Sequence, residues 1–188
     1  MESLKFIHLL LSTVSPTRLF LKREEFYLYV ERERLLTSLE LLKGSSWLQF
    51  SSLLDLYCVD FPEREQRFEL TYLLHSYRYN RRVYLRTTLS PSDSVESATA
   101  LFRSAGWLER EVWDLFGVYF SNHPDLRRLL TDYGFEGFPL RKDFPLVGFV
   151  EVRYDDRLKK VVLEPVELTQ DYRYFDFLSP WEPPTRPL

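Results

Sequence analysis

The chain has 188 residues, of which 45% are hydrophobic and 28% charged, and its formal net charge at pH 7 is −3. This composition is typical of a globular protein with one domain, or one domain with an extension, and its arginines, scattered among acids, argue against a nucleic-acid groove. Cys58 is the only cysteine, which excludes an intrachain disulfide and a cluster held by several thiolates of this chain.

The first 44 residues predict a helix, two strands and a second helix. Residues 4–14 are apolar but too short to span a bilayer, so we expect an amphipathic helix that packs on the domain. Residues 17–22 and 25–30 resemble short strands around a charged turn. Residues 31–44 carry a leucine stripe at helical spacing and end in a glycine, which predicts a helix that stops there.

The next part of the chain predicts three strands. Residues 53–61 ("LLDLYCVDF") are nearly apolar on both faces, which is typical of a central strand. Apolar and polar residues alternate in 67–77 and again in 81–90. This alternation predicts a hairpin that turns near Tyr79 and Asn80.

Two helices are predicted to follow the hairpin. Residues 91–106 begin with Asp93 and Glu96 in a spacing that resembles a capping box, and they carry an apolar face. A glycine then separates them from a second helix at 107–116. We therefore predict an α+β fold, a two-layer sandwich of a mostly antiparallel sheet with helices.

The remainder of the chain predicts little regular structure. Residues 121–148 are punctuated by glycine and proline, with one short helical turn expected at 124–130. Proline and aromatic residues dominate the tail, and because free disordered tails are poor in aromatics, we expect this tail to lie against something. The predicted division is an α+β domain (1–120), a loop-rich interface segment with one short helix and strand (121–164), and an extended C-terminal tail (165–188).

Residues 109–146 crowd together acids, bases, a histidine and aromatics, so an enzyme is one hypothesis. Glu109, Glu111, Asp114 and His123 could supply general acid–base groups. However, Glu109 and Glu111 lie two positions apart on a helix and point away from each other, and no candidate nucleophile accompanies them. The favoured interpretation of these carboxylates is a polar helix face. A phosphate-binding module is also disfavoured, because the glycines of "YGFEG" lack a strand–loop–helix frame.

A surface that contacts other proteins explains this stretch better. Within it, the charges of the loop at 121–148 alternate in sign, sum to zero and are interleaved with leucine, tyrosine and phenylalanine. Opposite charges at close range can fix the register of a partner, while aromatic and arginine side chains supply the anchors. The charged residues in this pattern are Asp125, Arg127, Arg128, Asp132, Glu136, Arg141, Lys142 and Asp143.

A longer match supports this interpretation. The stretch "FRSAGWLEREVWDLFGVYFSNHPDLRRLLTDYGFEGFPLRKDFPL", together with "LLDLYCVDFP" and "EPVELTQDYRYFDF", closely resembles the 30-kilodalton subunit family of respiratory complex I. This family is also called NADH dehydrogenase subunit 9, and it includes the bacterial homologue of that subunit. The resemblance covers most of the chain and is weakest in residues 1–42.

The resemblance implies a non-catalytic core subunit of the hydrophilic arm, in the quinone-binding module, beside the large (49 kDa type) and small iron–sulfur quinone-site subunits. It implies that this chain binds no cofactor and that FMN, iron–sulfur clusters and ubiquinone belong to partner subunits. The expected location is the matrix side of the mitochondrial inner membrane, with translation inside the organelle, or alternatively the cytoplasmic face of a bacterial inner membrane. The alternatives are a subunit of a related membrane-bound bacterial NADH dehydrogenase or hydrogenase complex, and a free-standing enzyme using Glu109, Glu111 and His123.

The residues expected at the partner interface come from the crowded stretch and from the tail. They are Glu109, Arg110, Glu111, Asp114, Phe116, His123, Asp125, Arg127, Arg128, Arg141, Lys142, Asp143, Tyr174, Phe175, Phe177 and Trp181.

Overall fold

The computed structural model describes residues 2–22, 25–170, 172, 173, 175 and 181. The chain forms two compact units, Met1–Leu146 and Val147–Leu188. The first unit combines helices with a mostly antiparallel sheet, so the predicted α+β class is confirmed. The finer division at residues 120 and 164 stays a prediction.

The main sheet has five strands in the order β1-β2-β5-β4-β3. Only the β2–β5 pair is parallel. The strands are β1 (Arg18–Lys22), β2 (Glu25–Tyr29), β3 (Ser52–Asp60), β4 (Phe68–Ser76) and β5 (Arg81–Leu89). The helices of this unit are α1 (Glu2–Val14), α2 (Leu35–Gly44) and α3 (Ala105–Phe116), with a short 3-10 turn at Arg32–Arg34 before α2.

The core lies between one face of the sheet and the helices. Alternation along β4 turns Phe68, Leu70, Tyr72 and Leu74 toward the helices, and all four are buried. Full burial of such a side chain contributes about 1.5–3 kcal/mol. The predicted hairpin of β4 and β5 is confirmed, and Asn80 adopts a left-handed backbone conformation at its turn.

Strand β3 is an edge strand of the sheet, so its predicted central position is wrong. Helix α3 packs against β3, and Ser104, just before α3, donates a hydrogen bond to the carbonyl of Leu53. This cover explains why an edge strand carries an apolar sequence.

The predicted helix at 91–106 is also wrong. Residues Ser94–Glu96 form strand β6, which pairs in parallel with β7 (Tyr119–Ser121). Turns follow β6 up to the start of α3, which includes Gly106 instead of starting after it. Val95, Ala98 and Phe102 are buried as expected. Their helical spacing therefore reports which side chains are buried, but the backbone between them is a strand followed by turns.

The segment after β7 contains no helical turn at 124–130. The backbone N–H groups of residues 129–131 donate to a side chain of α3 and not to carbonyls four residues earlier. In the second unit, the single strand expected before residue 165 is a hairpin of β8 (Val150–Asp155) and β9 (Lys160–Pro165). Within the part of the chain that the structure describes, no helix is long and apolar enough to cross a membrane.

Candidate partner interface

Asp114 on α3 anchors the part of the first unit that follows β7, residues 122–146, which is called the anchored segment below. One oxygen of its carboxylate, Oδ2, accepts hydrogen bonds from the backbone N–H groups of Leu129 (3.1 Å), Leu130 (2.6 Å) and Thr131 (2.8 Å). The other oxygen pairs with Arg128 at 3.0 Å. Burial alone would raise the pKa of Asp114, but the hydrogen bonds from Thr131, Leu130 and Arg128 outweigh it and hold this pKa far below its usual value. The carboxylate therefore fixes an irregular backbone that has no helix of its own.

Two arginines extend this anchorage along the segment. The Nε and Nη2 groups of Arg110 donate to the carbonyls of Arg127 and Arg128 at 3.2 and 3.4 Å. Arg128 in turn donates to the carbonyl of Gly137 at 2.9 Å and lies over the ring of Phe138. Carbonyls that would otherwise need solvent are thus satisfied by side chains of the same unit.

Arg141 closes the segment onto the end of α3. Its Nε group donates to the carbonyl of Phe116 at 2.6 Å, and its guanidinium lies over the ring of Phe138. Gly117 ends the helix with a φ of +74°. A Cβ there would lie 2.5 Å from Arg141 and 2.6 Å from Phe138, so this close approach requires glycine. Burial lowers the pKa of Arg141.

Asp60 and Arg67 hold the far end of the segment. Arg67 donates to both oxygens of Asp60 at 2.6 and 2.7 Å and reaches Asp143 at 3.0 Å. The backbone N–H of Lys142 also donates to Asp60, at 2.7 Å. The hydrogen bond from Arg67 is the main reason that the pKa of Asp60 is lowered.

Glu109 is enclosed beneath the turn that leads to α3. Its Oε2 accepts a hydrogen bond from Ser97 Oγ at 2.6 Å and its Oε1 accepts one from the backbone N–H of Ala98 at 2.7 Å. Its side chain is 0% exposed. Burial raises the pKa of Glu109 to about 7, although both hydrogen bonds oppose this rise.

His123 lies beside Glu109, with 3.8 Å between Nε2 and Oε2. The backbone N–H of Asp125 donates to its Nδ1 at 3.1 Å, which leaves Nε2 as the protonated nitrogen, facing the carbonyl of Gly106 at 3.2 Å. The imidazole is therefore positioned by backbone groups on both sides.

The structure divides the predicted interface residues into three groups. The residues enclosed by this chain are Glu109, Arg110, Asp114 and Phe116. Those of intermediate exposure are His123, Arg128 and Arg141, although the side chain of His123 is itself only 2% exposed. Those that are exposed are Glu111, Asp125, Arg127, Lys142, Asp143, Phe175 and Trp181. The remaining two, Tyr174 and Phe177, lie outside the described residues.

The enclosed acids correct the interpretation of α3 as a polar helix face. Glu109 and Asp114 are the two positions of the helix whose carboxylates point inward, and their partners come from distant residues. Sequence reasoning also missed Asp60, Arg67 and Ser97 as positioning residues. For Asp60 a signal existed, because strand alternation places it on the same face as the buried Leu56, where a carboxylate needs a charged partner.

The anchored segment presents large apolar side chains to solvent. Four of them are between 50% and 102% exposed. They are Leu130, Tyr133, Leu140 and Leu146. A groove of about 370 Å³ lies among residues 127–134. A contiguous set of exposed apolar groups is typical of a surface that binds protein.

The second unit carries a similar surface on its hairpin. The register pairs Val152 with Leu163 and Tyr154 with Val161, so these four side chains share one face of the two strands. All four are more than half exposed. The opposite face carries the ion pair of Arg153 with Glu164. A two-stranded hairpin is marginally stable alone, which favours a role in contact with another surface.

Comparison with known proteins gives consistent matches. The chain is 58% identical to NADH-ubiquinone oxidoreductase subunit 9 of Reclinomonas americana, over 84% of this chain and 78% of that protein. It is 56% identical to a subunit of the NADH-quinone oxidoreductase of Paramagnetospirillum magneticum, over 85% of this chain and 80% of that protein. A chain in the structure of the membrane-bound sulfane sulfur reductase, an archaeal respiratory membrane complex, is similar with a TM-score of 0.68. That chain is 23% identical, over 78% of this chain and 88% of that one, and shows the fold alone.

Residues 28–150 match the family described as the respiratory-chain NADH dehydrogenase 30 Kd subunit. This match covers more than half of the chain, and the two relatives named above align over 158 and 160 of its residues. The chain belongs to the 30 Kd subunit family of the respiratory-chain NADH dehydrogenase.

Proposed function

We propose that this chain is a non-catalytic structural subunit of the hydrophilic arm of respiratory complex I. It belongs to the quinone-binding module and supports electron transfer from NADH to ubiquinone coupled to proton translocation. The observation that carries this proposal is the family match over residues 28–150, with 58% identity to a subunit of NADH-ubiquinone oxidoreductase. FMN, the iron–sulfur clusters and ubiquinone are bound by partner subunits.

Two side chains support a role without chemistry of its own. Cys58 is buried, and burial raises the pKa of its thiol to about 12, so it is a poor source of the thiolate that metal binding or nucleophilic attack needs. Glu109, the acid best tuned for proton transfer, has no exposed surface through which a substrate could reach it. A free-standing enzyme is therefore disfavoured.

The contacts with partners involve the outward side chains of the anchored segment. Asp114, Arg110, Arg128 and Arg141 position the segment from within, and its exposed apolar and charged side chains contact the large and small iron–sulfur quinone-site subunits. The exposed face of the β8–β9 hairpin supplies a second contact. This arrangement separates the residues that hold the segment from those that bind.

The proposed location is the matrix side of the mitochondrial inner membrane, as part of the assembled complex. The relatives come from eukaryotes and from a bacterium, so the cytoplasmic face of a bacterial inner membrane is the alternative. Two measurements distinguish these locations. Fractionation identifies the membrane that carries the tagged chain, and protease access to the tag shows on which side of that membrane the chain lies.

The experiment uses the tagged full chain, purified in mild detergent from its own source. Subunits of one NADH dehydrogenase should accompany it, and the chain alone should show no NADH oxidation. A chain that is recovered without such subunits, or that oxidises NADH by itself, would refute the proposal.

A double substitution tests the anchored segment. We expect Leu130→Asp with Tyr133→Asp to leave thermal unfolding of the isolated chain nearly unchanged, because both side chains are exposed. The same variant should be incorporated into the assembled complex at least about tenfold less than the unaltered chain. Trp47→Asp, at an exposed aromatic elsewhere in the unit, is the control. Normal incorporation of the double variant would show that this surface is not the interface.

A further inference from the structure

Strand β1 forms an open edge of the main sheet. It pairs with β2 on one side, and no strand of the described residues pairs with its other side. Four of its five residues are exposed, and Phe20 and Leu21 are 51% and 55% exposed. An edge strand presents backbone N–H and C=O groups that can hydrogen-bond to another extended chain.

The side chains of β1 give this edge a pattern. Arg18, Phe20 and Lys22 lie at alternate positions and so share the sheet face that carries Tyr27 and Tyr29. Neither Arg18 nor Lys22 forms an ion pair within the described part of the chain. Glu25 is the cross-strand neighbour of Lys22, and its carboxylate accepts a hydrogen bond from the hydroxyl of Tyr27 at 3.1 Å. One apolar residue is thus flanked by two cations that form no ion pair with the described residues.

This face is also open above the strand. Phe20 packs edge-on against Tyr29, with 5.8 Å between ring centroids. A groove of about 480 Å³ is lined by Phe20, Lys22, Tyr27, Tyr29 and, at its side, Leu21 and Arg86. The helices α1, α2 and α3 cover the opposite face, where Phe26 and Leu28 are buried.

A second copy of this chain is a poor occupant of the edge. If two β1 strands paired in antiparallel fashion about Phe20, Arg18 of each would lie opposite Lys22 of the other. A parallel pair in register would place each cation opposite its own copy. Like charges that face each other across strands are destabilising, so the pattern disfavours self-pairing and selects a partner of opposite charge.

We propose that β1 docks an extended segment of another protein in which two carboxylates flank an apolar residue at alternate positions. The segment adds a sixth strand to the sheet. Its carboxylates face Arg18 and Lys22, and its apolar residue lies beside Phe20 at the groove. This surface is separate from the anchored segment, and the inference does not depend on the proposed function.

The test measures binding of a short labelled peptide to the full chain by fluorescence anisotropy. In the peptide, threonine occupies every second position. The positions between the threonines carry glutamate, valine and glutamate in that order, so that these three side chains share one face of the strand. We expect saturable binding that weakens about tenfold in Arg18→Glu with Lys22→Glu, because two attractive cross-strand pairs become repulsive. Binding should weaken with added salt, and backbone amides of residues 18–22 should gain protection from hydrogen exchange.

Two controls make the result specific. Arg103→Glu with Arg157→Glu changes the net charge equally at exposed positions that do not belong to β1, and this variant should bind the peptide normally. A peptide with lysines in place of the glutamates should bind the Arg18→Glu, Lys22→Glu variant better than the unaltered chain. The inference is overturned by lack of saturable binding, by equal loss in both double variants, by protection outside β1, or by self-association of the chain through β1.

Discussion

Replacement of Asp114 by asparagine removes one charge and one hydrogen-bond acceptor while the size of the side chain stays nearly the same. The remaining amide oxygen can accept from only one side of the site, either from the backbone N–H groups of residues 129–131 or from Arg128 and Thr131. The NH₂ group of asparagine then faces the donors on the other side, with which it cannot form hydrogen bonds. The change therefore tests whether this carboxylate holds the segment.

The magnitude follows from the burial of the pair. The side chain of Asp114 is 0% exposed and that of Arg128 is 28% exposed. Removal of one partner of a buried ion pair costs about 3–5 kcal/mol, and the partial exposure of Arg128 favours the lower end. We expect Asp114→Asn to lower the free energy of unfolding by about 3 kcal/mol. Because the pKa of Asp114 is lowered in the folded chain, its contribution is present above the usual carboxyl range and lost as the pH falls below about 4.

The assay is urea denaturation of the isolated full chain, combined with hydrogen exchange. The amides of Leu129, Leu130 and Thr131 should exchange faster in Asp114→Asn. Asp132→Asn, at an exposed carboxylate nearby, is the matched control and should change stability by less than about 0.5 kcal/mol. A loss below about 1 kcal/mol in Asp114→Asn, or unchanged exchange at residues 129–131, would refute this account of the anchor.

The remaining predictions concern Glu109 and the basic pair at 141 and 142. In the folded chain the pKa of Glu109 is about 7, against an ordinary value of 4.5, so the folded state binds the proton more tightly than the unfolded state. The free energy of unfolding should therefore fall by about 3 kcal/mol as the pH rises from the lower to the higher of these two values. Glu109→Gln should flatten this fall, and equal pH slopes for the two proteins in denaturation at pH 5 and pH 8 would contradict it. Arg141→Ala should destabilise the chain by about 2 kcal/mol, because the carbonyl of Phe116 loses its donor and Phe138 loses one of the two guanidinium groups that lie over its ring. Lys142→Ala should leave thermal unfolding unchanged because its side chain is exposed, so similar melting temperatures of the two variants would argue against the role of Arg141.

Local patterns in the sequence predicted the elements whose burial follows a simple period. The alternation from residue 67 to 90 predicted the β4–β5 hairpin, because one face of that hairpin is the core. The apolar stripe at 107–116 predicted most of α3 for the same reason. The stripe at 91–106 predicted a helix that does not exist, because Val95 is buried in a short strand and Ala98 in the turn after it, whose backbone donates to Glu109.

The sequence by itself determined the family, the α+β class and the crowded stretch at 109–146, since these depend on residue order and on local periodicity. Only the tertiary structure decided which of its charges point inward. Glu109 and Asp114 are enclosed because their hydrogen-bond donors lie 11–12 and 14–17 residues away along the chain, and a helical pattern does not report such distant partners. For the same reason, the open edge at β1 and the covered edge at β3 became distinguishable only once α3 was seen to pack on β3.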